Sequence, residues 1–216
     1  VDMTMSNMSG SSLYSLKQQS LSMAKDLSAA TKTVTDAVTI YANENESVSS
    51  MLNKAQPTVL LSAASGMSSS SSADAIQGIL NQFNLSEDQA MHVADTVEKL
   101  SSEIALDFSK GCDTISQSIA TSGSVVNEAG MSFEKYAALV STTAEKTRVS
   151  GSQIGNAFKT IFSRISRSKD GLTTDAEMSD AEAALKSVGV SVRGADGDLR
   201  DISDTLDDLN KVCIMQ

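Results

Sequence analysis

Apolar residues recur three and four positions apart along most of this chain, and this spacing constrains its fold more than any other feature. The clearest run follows Ser150 and Gln153, which stand at the spacing of a capping box. Residues three and four apart share one helix face, so the run predicts an amphipathic helix whose stripe can enter a globular core. The stripe consists of Ile154, Ala157, Phe158, Ile161, Phe162 and Ile165. Because the chain has a single proline, Pro57, long stretches are free to be helical, and we predict a mainly α fold.

Residues 1–61 predict one long N-terminal helix. A strict alternation of three and four is the heptad pattern of a helix with a narrow contact stripe. The stripe is thin, since it contains a serine and several alanines, so a coiled coil formed through it would be weak. A long amphipathic helix packed on its own domain is the other interpretation. The stripe runs through Leu13, Leu16, Ser20, Met23, Leu27, Ala30, Val34, Ala37 and Tyr41.

A Ser-rich stretch, residues 62–72, predicts a flexible linker or an exposed loop, because short polar side chains bury little area and compete for backbone hydrogen bonds. We place a domain boundary there. Residues 73–216 then predict a bundle of short helices. Gly111 and Gly130 are candidate helix terminators. The candidate helix caps in this part of the chain are Ser86, Ser132, Ser179, and either Asp201 or Ser203.

One small β-hairpin is predicted near residues 190–202. Val190 and Val192 alternate there with polar residues, which is the period of a strand. Asp196 and Gly197 supply the turn chemistry of a hairpin tip. The complete fold prediction is a long N-terminal helix followed by a helical bundle with this hairpin near its end.

Composition narrows the functional classes. Aromatic residues make up 4% of the chain and tryptophan is absent, so small apolar residues favour helix packing over a β-sandwich core. The formal net charge is −10, which disfavours binding to the phosphate backbone of nucleic acids. Three cations lie mainly off the stripe that begins at Ile154, and a fourth follows near its end. They suggest a solvated helix face with favourable charge near the helix C-terminus, with a phosphate-binding patch as the alternative. They are Lys159, Arg164, Arg167 and Lys169.

No catalytic, cofactor-binding or metal-binding residue is predicted. His92 is the single histidine, and a helix-face role is expected for it. Cys112 and Cys213 form no CxxC pair, so a reduced folding compartment is expected. Gly151 and Gly155 stand at GxxxG spacing, which in a soluble chain indicates close helix approach. An acidic cluster lacks the order of a calcium loop and is interpreted as turn and cap residues; its members are Asp196, Asp198, Asp201, Asp204, Asp207 and Asp208.

Neither a signal peptide nor a membrane span is predicted. The N-terminal residues VDMTMSNMSG contain no basic region and no apolar run. No stretch approaches the roughly 20 apolar residues that a transmembrane helix needs. This expectation concerns only the segment represented by the present sequence.

Two strings carry a family resemblance, EKTRVSGSQIGNAFKTIFSRI at 145–165 and VGVSVRGADGDLRDISDTLDDL at 188–209. Together with the strings at 79–101 and 128–148, they make the chain resemble the shared core region of phage tail tape measure proteins. The resemblance implies a non-enzymatic protein that occupies the lumen of a growing tail tube and sets its length. It also implies that the protein leaves the tube around the time of genome delivery. It also implies contacts with the tail tube protein, tail assembly chaperones and baseplate or tail-tip proteins, self-association within the tube, and a passage through the host cytoplasm during assembly.

Other interpretations stay open at this point. A secreted filament or hook-type protein can also be Ser-rich and free of tryptophan, but it gives no reason for the string GSQIGNAFKTIFSR. A cell-wall hydrolase would need convergent acid, base or metal groups. The chain ends LNKVCIMQ where the resemblance implies a further helix, and this ending is typical of a truncated or frame-shifted product. A non-functional prophage remnant is therefore a further alternative.

Overall fold

The computed structural model of the protein describes residues 10–42, 47–104, 107–166, 180–197 and 200–214. Within these ranges the chain forms ten α-helices, one 3₁₀ turn and no strand, so the prediction of a mainly α fold is confirmed. None of these helices combines the length and apolar character that crossing a bilayer requires. The elements are α1 Gly10–Asp26, α2 Thr31–Ala42, α3 Val48–Ser65, α4 Ser69–Gln82, the 3₁₀ turn Glu87–Gln89, α5 Ala90–Glu103, α6 Phe108–Glu128, α7 Phe133–Thr147, α8 Gly151–Ser166, α9 Asp180–Ser187 and α10 Ile202–Ile214.

The prediction of one long N-terminal helix is wrong, because α1 ends at Asp26 and a separate α2 begins at Thr31. Ser28 adopts a left-handed backbone conformation with φ of 50°. The Ala29 N–H donates to the Ala24 carbonyl at 2.9 Å, which is the hydrogen bond that closes a helix C-terminus. The predicted spacing of buried residues continues on both sides of this break. Five of its positions are buried, namely Leu16, Ser20, Val34, Ala37 and Tyr41.

Helix α3 continues through Pro57 and into the predicted linker. An interior proline removes a helix hydrogen bond at a cost of about 3 kcal/mol. Pro57 is buried, and Val59 and Leu61, which follow it, are also buried. Each large apolar side chain that is fully buried contributes about 1.5–3 kcal/mol, which offsets this cost.

The Ser-rich segment, residues 62–72, consists of two helix ends and not of a flexible linker. Gly66 ends α3 in a left-handed conformation with φ of 72°, and its N–H donates to the Ser62 carbonyl. Ser68 caps α4 by accepting the Ser71 N–H at 3.0 Å. The Ser65 hydroxyl donates to the Leu61 carbonyl. The serines here cap helices or donate to a carbonyl group of their own helix. Composition alone does not distinguish such serines from those of a flexible linker.

Two apolar cores lie on either side of this segment. The first is built mainly from α1, α2 and α3, with Met51, Ala55 and Val59 contributed by α3. The second is built mainly from α4 to α8, and it also includes Leu61 from α3 and Ile202 from α10. Because α3 contributes to both cores, the division of the chain into domains 1–61 and 73–216 stays a prediction.

The predicted β-hairpin is not supported, since residues 190–197 and 200–202 contain no strand. Val190 and Val192 are buried as the pattern predicted. The Arg193 guanidinium donates to the Gly197 carbonyl at 2.7 Å, and the Arg200 guanidinium donates to the Ser191 carbonyl at 2.8 Å. One backbone hydrogen bond also crosses the segment, from the Arg200 N–H to the Val192 carbonyl at 2.9 Å. The segment therefore folds as a turn held by this bond and by two arginine side chains.

The predicted helix caps are confirmed where the structure describes them. Ser86 forms a capping box with Gln89, Ser132 accepts the Lys135 N–H, and Gly130 follows the end of α6 with φ of 91°. Asp201 caps α10 by accepting the Ser203 N–H at 2.8 Å, whereas Ser179 lies outside the described residues. Gly111 does not terminate a helix. It lies inside α6, where a Cβ atom would come within 3.0 Å of the Ser101 carbonyl oxygen.

Two glycine-to-alanine substitutions should change stability in opposite directions. A Cβ atom at Gly66 or at Gly78 would meet no neighbouring atom within 4 Å, but only Gly66 has a positive φ. We expect Gly66→Ala to lower the free energy of unfolding by about 1 kcal/mol and Gly78→Ala, inside α4, to raise it by roughly 0.5–1 kcal/mol. Urea unfolding followed by circular dichroism measures both. Equal effects would contradict a helix end at Gly66.

Candidate functional site

Helix α8 carries the stripe that the sequence made most prominent. Its capping box is confirmed, since the Ser150 N–H donates to Gln153 Oε1 at 3.1 Å and the Gln153 N–H donates to Ser150 Oγ at 3.4 Å. The stripe is narrower than predicted. Ile154 and Phe162 are buried and Phe158 is half-buried, whereas Ala157 is exposed and Ile161 is 45% exposed. The Ile165 side chain lies outside the described residues.

The buried face of α8 is completed by Gly151 and Gly155, which lie directly against α6. A Cβ atom at Gly151 would overlap the Thr114 carbonyl group, and one at Gly155 would lie 2.8 Å from the Ser118 carbonyl oxygen. Real Cβ atoms do not approach this closely, so only glycine permits the observed separation of the two helices. The predicted close helix approach at the GxxxG spacing is confirmed.

Tyr136 on α7 lies beside this helix crossing and satisfies its hydroxyl on α6. Its oxygen is 3.2 Å from Ser118 Oγ and 2.5 Å from Ser122 Oγ. Because the Ser122 hydroxyl donates to the Ser118 carbonyl, Tyr136 donates to Ser122 and accepts from Ser118. Burial raises the pKa of the Tyr136 phenol, although the two serine hydrogen bonds act in the opposite direction. The group is therefore a neutral, satisfied core residue at physiological pH.

Aromatic rings surround Tyr136. The ring centroids of Tyr136 and Phe158 are 5.6 Å apart and nearly perpendicular, and those of Tyr136 and Phe162 are 6.3 Å apart in the same manner. On the other side, Phe83 contacts Phe133 at 5.8 Å. Edge-to-face pairs at these distances contribute about 0.5–1.5 kcal/mol beyond area burial. Four of the five phenylalanines of the chain thus form one network of ring contacts that includes Tyr136. Phe83 lies directly after α4, Phe133 lies on α7, and Phe158 and Phe162 lie on α8.

The single histidine lies on the exposed side of α5, paired with α7. His92 Nε2 is 2.8 Å from Glu134 Oε1, and both side chains are about half-exposed. The hydrogen bond from His92 lowers the pKa of Glu134, opposed in part by desolvation. The His92 ring also meets the edge of Phe133. The pair ties two helices together at the surface of the second core.

The acidic cluster is distributed over a turn and a helix. Asp201 caps α10 and lies 3.5 Å from the Lys135 ammonium group; the Ser203 N–H is the main cause that lowers the pKa of Asp201. Asp208 accepts from Lys211 and Arg200, which lower its pKa. Asp198 lies outside the described residues. Over the described ranges, no group of three or more His, Cys, Asp or Glu side chains could hold a metal ion.

The remaining reactive or charged candidates are dispersed. Cys112 is buried in the second core, and burial raises the pKa of its thiol. Lys159 and Arg164 are exposed on α8. The side chain of Cys213 lies outside the described residues, as do Arg167 and Lys169. Among the groups that the structure describes, the buried Cys112 thiol and the exposed cations of α8 do not form one site.

Sequence reasoning missed one charged residue, Lys54, whose side chain is fully buried in α3. Its ammonium group donates to Gln77 Oε1 at 3.2 Å, lies 3.8 Å from Glu87 Oε1, and sits 4.8 Å from the centre of the Tyr41 ring. The sequence did contain an indication that Lys54 is buried. Lys54 follows Met51 by three positions and precedes Thr58 by four, so it falls on the buried helical stripe.

Comparison with known sequences decides the family. The sequence model of the family described as "Phage-related minor tail protein" matches residues 17–213. The chain belongs to the phage-related minor tail protein family. Its match begins within α1 and ends within α10. It includes the whole second core and all of the first core except Leu16.

A protein of Escherichia phage P2 named "Probable tape measure protein" is also similar. The identity is 24% over 190 residues, which covers 88% of this chain and 22% of the phage P2 protein. The chain thus spans about a fifth of the length of this relative. No solved structure matches the chain. The family match and the similarity to the phage P2 protein together indicate a structural component of a phage tail.

Substitution at the helix crossing should destabilise the second core. We expect Gly155→Ala to lower the free energy of unfolding by about 1–3 kcal/mol, since its Cβ atom would force α8 away from the Ser118 carbonyl. Gly78→Ala is the matched control, because it makes the same change inside a helix with open space. Chemical unfolding gives both values. An unchanged or raised stability for Gly155→Ala would contradict the crossing.

Stability should depend on pH through Glu134. Its pKa is lower in the folded state than in the unfolded state, so its contribution is present above the ordinary value and is lost as the pH falls through the folded value. Glu134→Gln should therefore cost up to about 1 kcal/mol at neutral pH and nothing in strong acid. Urea unfolding across this pH range measures the difference. When His92 is replaced by alanine, adding Glu134→Gln should change the free energy of unfolding at neutral pH by less than it does in the wild type. An equally large change would contradict the pairing of His92 with Glu134.

Proposed function

We propose that this chain is part of a tape measure protein, which occupies the lumen of the tail tube and sets its length. The match to the phage P2 protein over 88% of the chain carries the proposal. Because the chain spans 22% of that relative, the length of a complete ruler would depend on a longer protein. The tail tube protein, tail assembly chaperones and tail-tip or baseplate proteins are the proposed partners.

The helical content supports a length-determining role. An α-helix rises about 1.5 Å per residue, so a fully extended helical chain of this length would reach roughly 320 Å. The described residues are folded more compactly, into ten helices around two cores. The proposal therefore requires the helices to separate and align along the tube during assembly. The number of helical residues aligned along the tube would then determine the length of the tail.

The charge supports occupation of a tube without adhesion to DNA. The formal net charge is −10, and DNA affinity rests on the neutralisation of phosphates by cations. An acidic protein in the lumen repels DNA that enters the same space. We therefore propose no specific nucleic-acid binding by this chain, a folding stage in the host cytoplasm, and a final location in the virion tail.

A purely structural role without catalysis belongs to the same proposal. The family and the name of the relative support it. Purified protein incubated with peptidoglycan should release no soluble fragments, with the same preparation lacking the protein as blank. Turnover in this assay would contradict the non-enzymatic role.

A deletion in the phage that encodes this protein should shorten its tail. Removing four heptads from the N-terminal stripe of the parent protein should shorten the mean tail by about 42 Å, at about 1.5 Å per residue. Electron microscopy of purified tails measures the change. The matched control replaces the same residues by an unrelated heptad sequence of equal length, which should preserve tail length. Unchanged length after the deletion would contradict the ruler role.

A further inference from the structure

The turn between α1 and α2, residues 27–30, lacks the residues that usually end one helix and begin the next. Ser28 holds a left-handed conformation with φ of 50°, at a position where glycine is preferred. Helix α3, by contrast, ends on a left-handed glycine, Gly66. Ala30 stands directly before α2, and its side chain cannot accept a hydrogen bond from the first N–H groups of a helix.

The start of α2 differs in this respect from the other helix starts whose cap residue is described. Serine or aspartate precedes α3, α4, α6, α7, α8 and α10, and a serine caps the 3₁₀ turn that leads into α5. The start of α2 is therefore not encoded by a capping residue. The caps of the other starts are Ser47, Ser68, Ser86, Asp107, Ser132, Ser150 and Asp201.

The local sequence favours a helix that continues through the turn. The turn reads Leu27, Ser28, Ala29 and Ala30, and alanine and leucine are among the strongest helix formers. Residues 11–42 contain neither glycine nor proline. The apolar stripe also crosses the turn without a change of spacing, so a continuous helix would keep the stripe on one face.

Packing in the first core is what bends the chain here, and it holds α1 less firmly than α2. Leu16 is the one large side chain of α1 that is fully buried. Helix α2 buries Val34, Val38 and Tyr41, and the Tyr41 hydroxyl oxygen is 2.7 Å from Thr58 Oγ1 on α3. Because α1 loses fewer contacts on leaving α3, we expect α1 to separate first.

We propose that residues 27–30 are a turn-to-helix switch. When α1 leaves the first core, the turn becomes helical and α1 extends α2 as one continuous helix over residues 10–42, about 50 Å long. The N–H groups of residues 30–33 have no helical partner at the start of α2, and in the continuous helix they would donate to the carbonyls of residues 26–29. Ser28 would leave its left-handed conformation. Helices α1 and α2 keep their structure, and only the turn changes.

The switch would supply one step of the extension that the proposed tape measure role requires. It concerns a second state of the chain, since the compact form has two separate helices. The purified protein tests it without a phage, so the switch can fail while the tape measure role stands. Tail-length measurements test that role without reference to the turn.

Two spin labels report the arrangement of α1 and α2. They are attached at Lys17→Cys and Thr39→Cys, in a chain that also carries Cys112→Ala and Cys213→Ser. In a continuous helix the two labelled positions are about 33 Å apart along the axis. In the compact form they are closer, because α1 and α2 contact one another. Double electron–electron resonance should give the shorter distance for this labelled chain.

A substitution that releases α1 should produce the longer distance. Leu16→Glu places a carboxylate at a fully buried position of α1 and should give a peak near 33 Å. Leu13→Glu is the matched control, because it makes the same change on the same helix at a residue that is 36% exposed. The control should keep the shorter distance. Circular dichroism establishes that both variants retain their helices.

Substitutions at Ser28 show whether the turn itself sets the balance. In the Leu16→Glu chain, Ser28→Gly should give a ratio of extended to bent molecules about fivefold lower than Ser28→Ala does, because glycine is the weaker helix former and accepts the left-handed turn. Equal ratios would overturn the proposal. So would a Leu16→Glu distance that stays short or spreads without a peak near 33 Å. A peak near 33 Å in the Leu13→Glu control would also overturn it, because release would then not depend on Leu16.

Hydrogen exchange distinguishes the switch from simple unfolding of α1. In Leu16→Glu the amides of residues 30–33 should exchange more slowly than in the wild type, since they gain helical partners. Unfolding of α1 would leave these amides without partners. Exchange that is unchanged or faster at residues 30–33 would therefore overturn the proposal, whatever the distance measurement shows.

Discussion

The close approach of α6 and α8 is the contact on which the second core depends. Gly151 and Gly155 allow the backbone of α8 to touch carbonyl groups of α6, and this depth brings Phe158 and Phe162 to the Tyr136 ring. The tyrosine hydroxyl then needs partners, because a buried polar group without a hydrogen bond costs about 1–3 kcal/mol. Two serines of α6 supply them. Glycine contacts, ring contacts and hydroxyl bonds thus fix three helices in one arrangement.

A different kind of contact connects the two cores. A buried ammonium group is costly unless it is paired, and Lys54 meets this requirement with groups from three other elements, Gln77 on α4, Glu87 in the 3₁₀ turn and the Tyr41 ring on α2. Removing one partner of such a group leaves the charge uncompensated. The lysine therefore favours one alignment of α3 against α2 and α4, even though apolar burial alone would tolerate several.

Helix caps were predictable from the sequence, because each depends on a hydrogen bond between one side chain and a backbone group a few residues away. The capping boxes at Ser150 and Ser86 and the cap at Asp201 have this character, and so does the glycine spacing of α8. The length of the N-terminal helix was not predictable, because a heptad stripe continues across the break at Ser28 without a change of period. Composition also failed to predict the helix ends in the Ser-rich segment, because serine is common both at helix caps and in linkers.

The remaining errors came from side-chain contacts that the spacing of residues along the sequence does not reveal. The valine alternation near Val190 indicated a hairpin, but Arg193 and Arg200 bond carbonyl groups of that segment. Ile161 belonged to an apolar stripe, yet the crossing with α6 is centred on the glycine side of α8 and leaves Ile161 exposed. Lys54 carried no prediction at all, because burial of a lysine depends on partners that lie 23 and 33 positions away, Gln77 and Glu87.

Many buried hydroxyl groups in this fold are satisfied by their own helix. Ser20, Ser65, Ser122 and Thr58 each donate to the carbonyl four residues earlier. A helix that satisfies its own hydroxyls leaves none of them unpaired when it separates from a neighbour, so its separation costs mainly apolar contact. Under the proposed function the same helices must exist in a compact form and in an extended form, and self-satisfied hydroxyl groups permit both without a change in secondary structure.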